Sequence, residues 1–424
     1  MNITDIVGHL ARFDAQSSQR LHLVASENGM PDQALTPYVT DALTRYCFGT
    51  SADTHWAWPG RDVLADLEAH AQACIGTLLG ARFVNLKPVS GLSAMTVAVS
   101  ALSGSAGTVF SLAEADGGHG STPFVARRFG LHWQPLPVDP HSWGVDAEVL
   151  ARRARCLSGP MLIYLDSFMA LFPHDLAAIR AAVGEHARIH YDGSHTLGLI
   201  AGGRFQQPLA EGADSLGGSV HKTWPGPVGK GVLATNDPQL AGEIDLHAAG
   251  WISHHHPADV VALAISATWM SEKAPAYAAH VVANARRLAA ALTGAGFTVC
   301  AAERGGTGSH QVWVDIAPVC PAATAARLLY EAGMVVNAID IPYLPAPGLR
   351  LGVQEATFLG FDQSGMDDIA ALTARVLIHR ESTATVAPAV TALRDRYRPA
   401  AEHLVSDELA QRRGWRAESR TRTS

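Results

Sequence analysis

Short apolar segments alternate with helical segments between residues 81 and 235, and this alternation constrains the fold more than any other feature of the chain. Strands separated by helices need crossover connections, so they form a mostly parallel sheet covered by helices. Ligands of such sheets bind beyond the carboxyl ends of the strands. Asp166 and Asp192 both lie at such ends. The strand candidates cover residues 107–112, 133–138, 161–166, 188–192 and 231–234.

Helical patterns lie on both sides of this region. Residues 1–60 form a predicted N-terminal arm that begins with a short amphipathic helix, and a second helix over 61–80 ends at Gly80. A long Ala-rich helix over 258–300, with Pro275 as a candidate break, leads into further short strands and helices. We therefore predict an α/β protein with a large, mostly parallel-sheet domain and a smaller C-terminal α/β domain.

The chain divides into four predicted parts. They are the N-terminal arm over 1–60, the large domain over 61–257, an interdomain helix with the small C-terminal domain over 258–404, and a basic, mobile tail over 405–424.

Composition argues against several classes of protein. The 424 residues include 48% hydrophobic and 17% charged side chains, which is typical of a globular protein. The net charge of −7 argues against nucleic acid as a partner, because phosphate binding requires clustered Lys and Arg. The five cysteines form no CxxC pattern, which indicates reduced thiols and a cytoplasmic protein. No apolar run reaches the roughly 20 residues of a membrane span, and no leader peptide is apparent.

An aspartate ends the fourth strand candidate, and a lysine follows further along the chain. Asp192 ends that segment, and Lys222 comes at the end of a short Ser-Val-His-Lys string. Enzymes that use pyridoxal phosphate (PLP) need such a pair: the lysine binds the cofactor aldehyde, and the aspartate keeps the pyridine nitrogen protonated so that the ring accepts electrons. The pair indicates chemistry at the α or β carbon of an amino acid. Taken alone, the two residues leave open that Lys222 is a surface lysine and Asp192 a helix cap.

Two further strings are suited to hold such a cofactor. Ser90 and Gly91 open a helix, so hydroxyl and backbone N–H groups lie at its positive end, where a phosphate can bind. An ordinary helix N-cap uses the same residue types. His119 follows two glycines after a strand candidate and could stack on a flat ring, although an isolated loop histidine often has no function.

Six strings occur in the order that is found in one enzyme family. They are Leu23-Val24-Ala25-Ser26-Glu27-Asn28, Pro88-Val89-Ser90-Gly91, Gly117-Gly118-His119, Asp192-Gly193-Ser194-His195, His221-Lys222-Thr223 followed by Gly226-Pro227, and Leu349-Arg350-Leu351-Gly352. On these strings the chain resembles serine hydroxymethyltransferase and its relatives over roughly residues 15–380. The resemblance implies the aspartate-aminotransferase fold (PLP fold type I), bound PLP, and a homodimer or tetramer whose active sites are shared between subunits.

The resemblance implies a cofactor-binding role for each matching residue. Lys222 would bind the cofactor aldehyde, Asp192 would pair with the pyridine nitrogen, and His119 would stack on the ring. The other cofactor-binding residues would be Ser167 and His195 near the ring hydroxyl, and Ser90, Gly91 and Ser219 at the phosphate.

The resemblance also implies how an amino-acid substrate would be bound. Arg350 would hold the substrate carboxylate by a bidentate contact, with Ser26 beside it. Tyr46 would cross into the neighbouring subunit's site. The group that accepts the proton of the substrate β-hydroxyl stays open between His221, His119 and a bound water.

The chain departs from the folate-dependent enzymes where folate would bind. Phe48 stands at the position of a glutamate that transfers protons, which phenylalanine cannot do. Trp58 replaces a tyrosine, and Ile339 replaces an asparagine. We therefore predict folate-independent chemistry, as in threonine transaldolases and aldolases, which cleave L-threonine to acetaldehyde and add the remaining glycine unit to another aldehyde. The apolar Phe48, Trp56, Trp58 and Ile339 would suit a bulky acceptor aldehyde.

Other functions stay open. A hydroxymethyltransferase acting on serine or an α-methyl amino acid would release a one-carbon unit only with tetrahydrofolate. An aminotransferase, racemase or decarboxylase could use the same fold, and a PLP-binding scaffold is a third alternative. The run 254–256 contains three histidines, but we expect no metal site because adjacent histidines rarely converge. One of these histidines would instead take the place of a glycine that contacts the cofactor phosphate in the partner subunit's site.

Overall fold

The computed structural model describes residues 1–47, 60–105 and 107–397. Its α-helices are α1 Ile3–Ser17, α2 Asp62–Leu79, α3 Gly91–Leu102, α4 Ser121–Arg128, α5 Ala147–Ala154, α6 Leu176–Val183, α7 Leu197–Ala201, α8 Pro238–Trp251, α9 Pro257–Gly294, α10 Ala322–Glu331, α11 Gln354–Phe358, α12 Gln363–Leu377 and α13 Thr383–Arg396. Its strands are β1 Leu21–His22, β2 Phe83–Asn85, β3 Thr108–Ser111, β4 His132–Pro135, β5 Val138–Asp139, β6 Gly144–Val145, β7 Met161–Leu165, β8 Ala187–Asp192, β9 Ser215–Ser219, β10 Gly231–Thr235, β11 Thr298–Val299, β12 Gln311–Asp315, β13 Met334–Val335, β14 Asn337–Ile339 and β15 Gly348–Gly352.

A seven-stranded sheet contains all five predicted strands and runs in the order β2-β10-β9-β8-β7-β3-β4. The strands from β9 to β4 are parallel to one another, whereas β10 is antiparallel to both β9 and β2. Helices connect the parallel strands, as crossover connections require. The predicted α/β fold class is confirmed, and the carboxyl ends of β3, β7, β8 and β9 meet at one edge of the sheet.

Successive side chains of the central strands enter two separate apolar layers. In β3, Val109 packs with the layer that contains α3 and α8, whereas Phe110 packs with the layer that contains α2 and α9. In β7, Leu162 and Ile163 divide in the same way. This alternation follows from the two-residue period of a strand, and it buries the sheet on both faces.

The helix α9 continues for 38 residues without interruption. The candidate break at Pro275 is therefore wrong. Ala274, Tyr277 and Ala278 beside the proline are buried, and α9 packs against α2 and α12. This packing outweighs the missing N–H and the steric clash of an interior proline, which cost about 3 kcal/mol.

A second, smaller sheet of four antiparallel strands has the order β11-β12-β15-β14, with α9 and α10 packed against it. Strand β1 pairs with β13 in parallel, so the N-terminal arm is joined to this C-terminal region. The structure adds β2, β9 and α13, which were not predicted. The boundaries between the four predicted parts stay predictions, and the tail over 405–424 lies outside the described residues.

Two other expectations concern the cysteines, which were predicted to be reduced thiols, and the lack of a membrane-spanning segment. All five cysteines are free thiols, as predicted. Burial raises the pKa of the Cys300 thiol to about 11, so this group is uncharged at neutral pH. Within the described ranges, no helix combines the length and the apolar character needed to cross a bilayer.

Gly198 in α7 allows a close contact with the chain that follows Lys222. Its N–H donates to Thr223 Oγ1 at 3.0 Å, and a Cβ at position 198 would lie 2.2 Å from the Thr223 carbonyl oxygen. We expect Gly198→Ala to lower the free energy of unfolding by about 1–3 kcal/mol, as overpacking usually does. Chemical denaturation measures this change.

Gly242→Ala in α8 is the matched control. Gly242 is exposed and a Cβ there would meet nothing within 4 Å. This variant should raise the free energy of unfolding by about 0.5–1 kcal/mol, because alanine loses less backbone freedom in a helix than glycine does. Equal stability of the two variants would show that the contact between Gly198 and Thr223 is not tight.

Candidate active site

The ends of the adjacent parallel strands β8 and β9 hold the predicted aspartate and lysine. Asp192 is the last residue of β8, and Lys222 comes shortly after Ser219, the last residue of β9. The N–H of Ser219 donates to Ser194 Oγ at 3.0 Å, which ties the segment after β8 to the end of β9. The two predicted site residues therefore start from neighbouring, fixed points of the backbone.

Lys222 has a lowered proton affinity. Its Nζ donates to Ser219 Oγ. Burial lowers the pKa of Lys222 to about 8, with the charge of Asp192 opposing the shift and that of Arg350 adding to it. A lysine with this pKa is neutral far more often at neutral pH than a free lysine, and the neutral amine is the form that attacks a carbonyl group.

Asp192 is held in one orientation by two donors. Its Oδ2 accepts from the hydroxyl of Tyr164 at 2.9 Å, and its Oδ1 accepts from the N–H of Ser194 at 2.9 Å. Tyr164 is fully buried and stacks on His190, with the ring centroids 4.9 Å apart. Because a carboxylate can accept about four hydrogen bonds, Asp192 keeps the capacity for a further N–H donor.

The N-terminus of α3 faces the same space. Ser90 Oγ accepts from the N–H of Ser93 at 3.0 Å, and Ser93 Oγ accepts from the N–H of Ser90 at 2.9 Å. The N–H groups of Gly91 and Leu92 have no partner within the helix. A Cβ at Gly91 would lie 3.0 Å from Ser219 Cβ, so glycine leaves room between α3 and β9. This cradle suits a phosphate group.

Arg350 in β15 is a buried cation that has no counterion among the described residues. It is 5% exposed, and burial lowers its pKa to about 10. Its two terminal nitrogens donate to neutral oxygens, the Phe168 carbonyl at 3.3 Å and Asn337 Oδ1 at 3.0 Å. Its Nε has no partner, and no carboxylate of the described chain forms an ion pair with it. A buried unpaired cation is unfavourable, so the site is suited to an anionic ligand.

One cavity of about 380 Å³ joins these groups. Of the predicted site residues, all except Tyr46 line it, namely Ser26, Ser90, Gly91, His119, Ser167, Asp192, His195, Ser219, His221, Lys222 and Arg350. The prediction left out further lining residues, namely Leu92, Met95, Asp166, Phe168 and Ser194. A wider cavity of about 660 Å³ between α2, β2, β10 and α8 contains none of these groups. We therefore place the candidate active site in the smaller cavity.

Asp166 holds the loop that carries His119. Its Oδ2 accepts from the N–H of His119 at 3.2 Å and from Thr122 Oγ1 at 2.5 Å, and its Oδ1 accepts from the N–H of Leu112 at 3.2 Å. Burial raises the pKa of Asp166 to about 8, with Thr122 opposing the rise and Asp192 adding to it. Asp166 follows a strand directly, which is the signal that selected Asp192 and could have selected this residue as well.

Burial leaves two histidines of the cavity uncharged. It lowers the pKa of His195 well below its usual value, and the nearby Lys222 and Arg350 add to this shift. It lowers the pKa of His221 to about 4, again with a contribution from Lys222. General bases work best with a pKa near the working pH, so His221 is a weak candidate for accepting the β-hydroxyl proton.

Tyr46 is the predicted site residue that does not line the cavity. Its side chain is 48% exposed, and its ring stacks on that of His254 at 4.7 Å. His254 stacks in turn on His256 at 4.0 Å, whereas His255 turns inward, with its Nδ1 3.0 Å from Glu68 Oε1. The three histidine rings therefore do not converge on one point. The entry of Tyr46 into a neighbouring subunit's site stays a prediction.

Of the four residues predicted to face the acceptor aldehyde, the structure describes one. Ile339 lies in β14 and packs against the apolar cluster around Trp313, and it does not line the cavity. Phe48, Trp56 and Trp58 lie outside the described residues. The apolar acceptor pocket therefore stays a prediction.

Comparison with known proteins identifies the family. The family model described as serine hydroxymethyltransferase matches residues 3–373, and the chain belongs to this family. The chain is 37% identical over 372 residues to an L-threonine:uridine-5'-aldehyde transaldolase of an Amycolatopsis species, covering 85% of this chain and 89% of that protein. It is 34% identical over 421 residues to a serine hydroxymethyltransferase of Korarchaeum cryptofilum, covering 93% and 94% of the two chains.

A solved structure agrees with this result. The crystal structure of L-threonine transaldolase from Pseudomonas fluorescens in the internal aldimine state matches with a TM-score of 0.88 and 26% sequence identity. The match covers 98% of each chain. The predicted resemblance and the PLP fold-type I architecture are thereby confirmed.

The lowered pKa of Lys222 predicts how the apoprotein takes up PLP. Only the neutral amine attacks an aldehyde, so the rate of covalent uptake should rise with pH and level off, with a midpoint near 8 instead of the usual 10.5. Rapid mixing with PLP at a series of pH values, followed by absorbance, measures this rate.

Two variants serve as controls for this experiment. Lys222→Ala should show no covalent uptake at any pH. Asp192→Asn should move the midpoint below that of the unmodified protein, because the charge of Asp192 raises the pKa of Lys222. A midpoint near 10.5 in the unmodified protein would contradict the effect of burial.

Proposed function

We propose that the protein is a PLP-dependent, folate-independent transaldolase. It would cleave a β-hydroxy-α-amino acid such as L-threonine to acetaldehyde and transfer the remaining glycine unit to another aldehyde. The observation that carries this proposal is the convergence of Lys222, Asp192 and Arg350 in one cavity of a chain that is 37% identical to a named transaldolase.

The residues of the cavity fit PLP. The N-terminus of α3 offers N–H groups to a phosphate, and Gly91 leaves room beside Ser219. Asp192 can accept a hydrogen bond from a protonated ring nitrogen, and Lys222 has a lowered pKa. When bound, PLP supplies a ring that accepts the electron pair released as a bond to the substrate α carbon breaks. We assign Lys222 to the cofactor aldehyde and Asp192 to the pyridine nitrogen. We assign His119, Ser167 and His195 to the surroundings of the ring.

We assign Arg350 to the α-carboxylate of the substrate. A carboxylate would supply the negative charge that the buried guanidinium lacks, and a bidentate contact would engage the unpaired Nε. Ser26 borders the same cavity and would bind beside it. Fixing the carboxylate at Arg350 orients the α carbon and its amino group relative to Lys222.

The second candidate function is a hydroxymethyltransferase that requires tetrahydrofolate. The 34% identity to an enzyme of that name, over most of both chains, favours it. Both reactions break the bond between the α and β carbons, and they differ in what accepts the aldehyde or one-carbon product. Dependence on folate therefore separates them.

We also infer that two copies of the chain build shared sites. Apolar side chains of α1 point away from the chain, and Ile6, Leu10 and Phe13 are 54%, 64% and 67% exposed. Such an exposed apolar stripe is typical of a surface that contacts another protein. A second copy would cover it and would bring Tyr46 to the neighbouring cavity. A cytoplasmic location is part of the same proposal.

Acetaldehyde release from L-threonine tests the proposed function. The purified, PLP-loaded protein should release acetaldehyde without folate, and added aldehydes should sustain or increase the release while a new β-hydroxy amino acid forms. A coupled assay for acetaldehyde and mass spectrometry of the products measure both. Lys222→Ala, which keeps the cavity but lacks the amine, is the control.

The opposite result is equally specific. No turnover of threonine, combined with cleavage of serine or α-methylserine only in the presence of tetrahydrofolate, would make the protein a hydroxymethyltransferase. Conversion of PLP to its amine form by an amino donor would instead indicate an aminotransferase.

Phe48→Glu tests the explanation for folate independence. Restoring a carboxylate at the position of the missing glutamate should give some tetrahydrofolate-dependent cleavage of serine, because the side chain can again carry a proton. Phe48→Gln is the matched control, since glutamine has the shape of glutamate but no ionisable group. A properly folded Phe48→Glu protein without any folate response would rule out this explanation.

A further inference from the structure

Ser167 lies within hydrogen-bonding distance of a buried histidine that does not itself line the active-site cavity. Its Oγ lies 2.7 Å from Nε2 of His174, in the segment between β7 and α6. His174 is 7% exposed and does not line the active-site cavity. Both residues border a second, small cavity of about 20 Å³, which is enough for about one water molecule.

Both partners of this contact are fixed by their backbones. The N–H of His174 donates to Gln206 Oε1 at 3.3 Å, and Gln206 Nε2 donates back to the His174 carbonyl at 3.2 Å. Gln206 Nε2 also donates to Glu211 at 2.9 Å. Ser167 forms an antiparallel bridge with Gly118, next to the loop that carries His119. The backbone contacts therefore hold the side chains of Ser167 and His174 at this short distance.

The surroundings of His174 determine which of its nitrogens carries the proton. Burial lowers the pKa of His174 to about 4, so the ring is neutral and has one N–H. Nδ1 has no partner among the described residues, whereas Nε2 lies 2.7 Å from Ser167 Oγ, so a proton on Nε2 forms a hydrogen bond within the protein that a proton on Nδ1 does not. The favoured proton position is Nε2, from which the N–H donates to Ser167 Oγ.

This arrangement determines the role of the serine hydroxyl. The Ser167 oxygen accepts from His174 and has no other partner among the described residues, so its own proton is free to point into the cavity. We propose that His174 is a positioning residue that fixes Ser167 as a hydrogen-bond donor to an anionic oxygen in the cavity, the ring oxygen of PLP. The inference rests on the PLP binding proposed above and not on the type of reaction.

The donor acts in a cavity that contains other charges. The titratable groups facing this space are Lys222, Arg350, His119, His195, Asp166, Asp192 and His221. A hydrogen bond to an anionic oxygen favours the charged form of that oxygen. Loss of the donor should therefore raise the apparent pKa of the bound cofactor, which is visible as a pH-dependent change in absorbance.

Two amide substitutions provide a matched pair for the test. His174→Gln places an N–H donor near the position of Nε2, whereas the shorter His174→Asn does not reach Ser167. The measurement is the pH titration of absorbance of the PLP-loaded protein without any amino acid. We expect the apparent pKa to rise by about one in His174→Asn, the size of one charge-assisted hydrogen bond, and to stay near the unmodified value in His174→Gln.

A double-mutant cycle shows whether His174 acts through the serine. Ser167→Ala should raise the apparent pKa as His174→Asn does, and adding His174→Asn to Ser167→Ala should change nothing further. Thermal unfolding monitors the fold, and His174→Leu replaces His174→Asn if the latter does not fold. An unchanged titration in a folded variant without the donor, or a full additional shift in the Ser167→Ala background, would overturn the proposal.

The experiment separates this proposal from the proposed function. The titration contains neither amino acid nor folate, so its result is the same for a transaldolase and for a hydroxymethyltransferase. A protein that lacks threonine cleavage but shows the expected titrations retains the role of His174. Absence of any covalent PLP in the unmodified protein would overturn both the cofactor assignment and this role.

Discussion

The close approach of β8 and β9 is the constraint on which the active site depends. Gly218 has a φ of 130°, and a Cβ there would lie 2.4 Å from Ser194 Oγ and 2.7 Å from Asp192 Oδ1. On the other side of β9, a Cβ at the neighbouring Gly217 would lie 2.5 Å from the Val232 carbonyl oxygen. A side chain at position 218 would push β9 away from Asp192, whereas one at position 217 would push β9 away from β10. Gly218 therefore allows the aspartate and the lysine to share one cavity.

The same glycines explain what could and could not be predicted from the sequence. Most site residues lie at strand ends or at the start of a helix, and these local features are readable from apolar runs and small residues. Strand β9 was missed because its sequence, Ser-Leu-Gly-Gly-Ser, lacks the β-branched and aromatic residues that favour strands. The break at Pro275 was predicted from local propensity, which the buried packing of α9 overrides. The contact between Ser167 and His174 depends on the path of a loop, so no periodic pattern indicates it.

The charges in the cavity complement one another only when ligands are bound. Lys222 and Arg350 are both cationic groups whose pKa values burial lowers, and two histidines beside them are neutral. Of the two carboxylates that line the cavity, Asp166 carries little negative charge at neutral pH, because burial raises its pKa to about 8. A phosphate at the α3 cradle and a carboxylate at Arg350 would supply further negative charge. Because such ligands bind the folded chain and not the unfolded one, loading with PLP and amino acid should stabilise the fold by mass action.

The contacts of the histidines also bear on the proton acceptor for the β-hydroxyl group. His221 is a weak base because burial holds its pKa at about 4. His119 Nδ1 accepts from the N–H of Ser121 at 3.2 Å, so its lone pair is already engaged and Nε2 is left as a donor. Neither histidine is therefore well suited to remove a proton, and Phe48 adds no ionisable group. Of the three candidates that the sequence leaves open, a water bound in the 380 Å³ cavity is the one that these contacts do not disfavour.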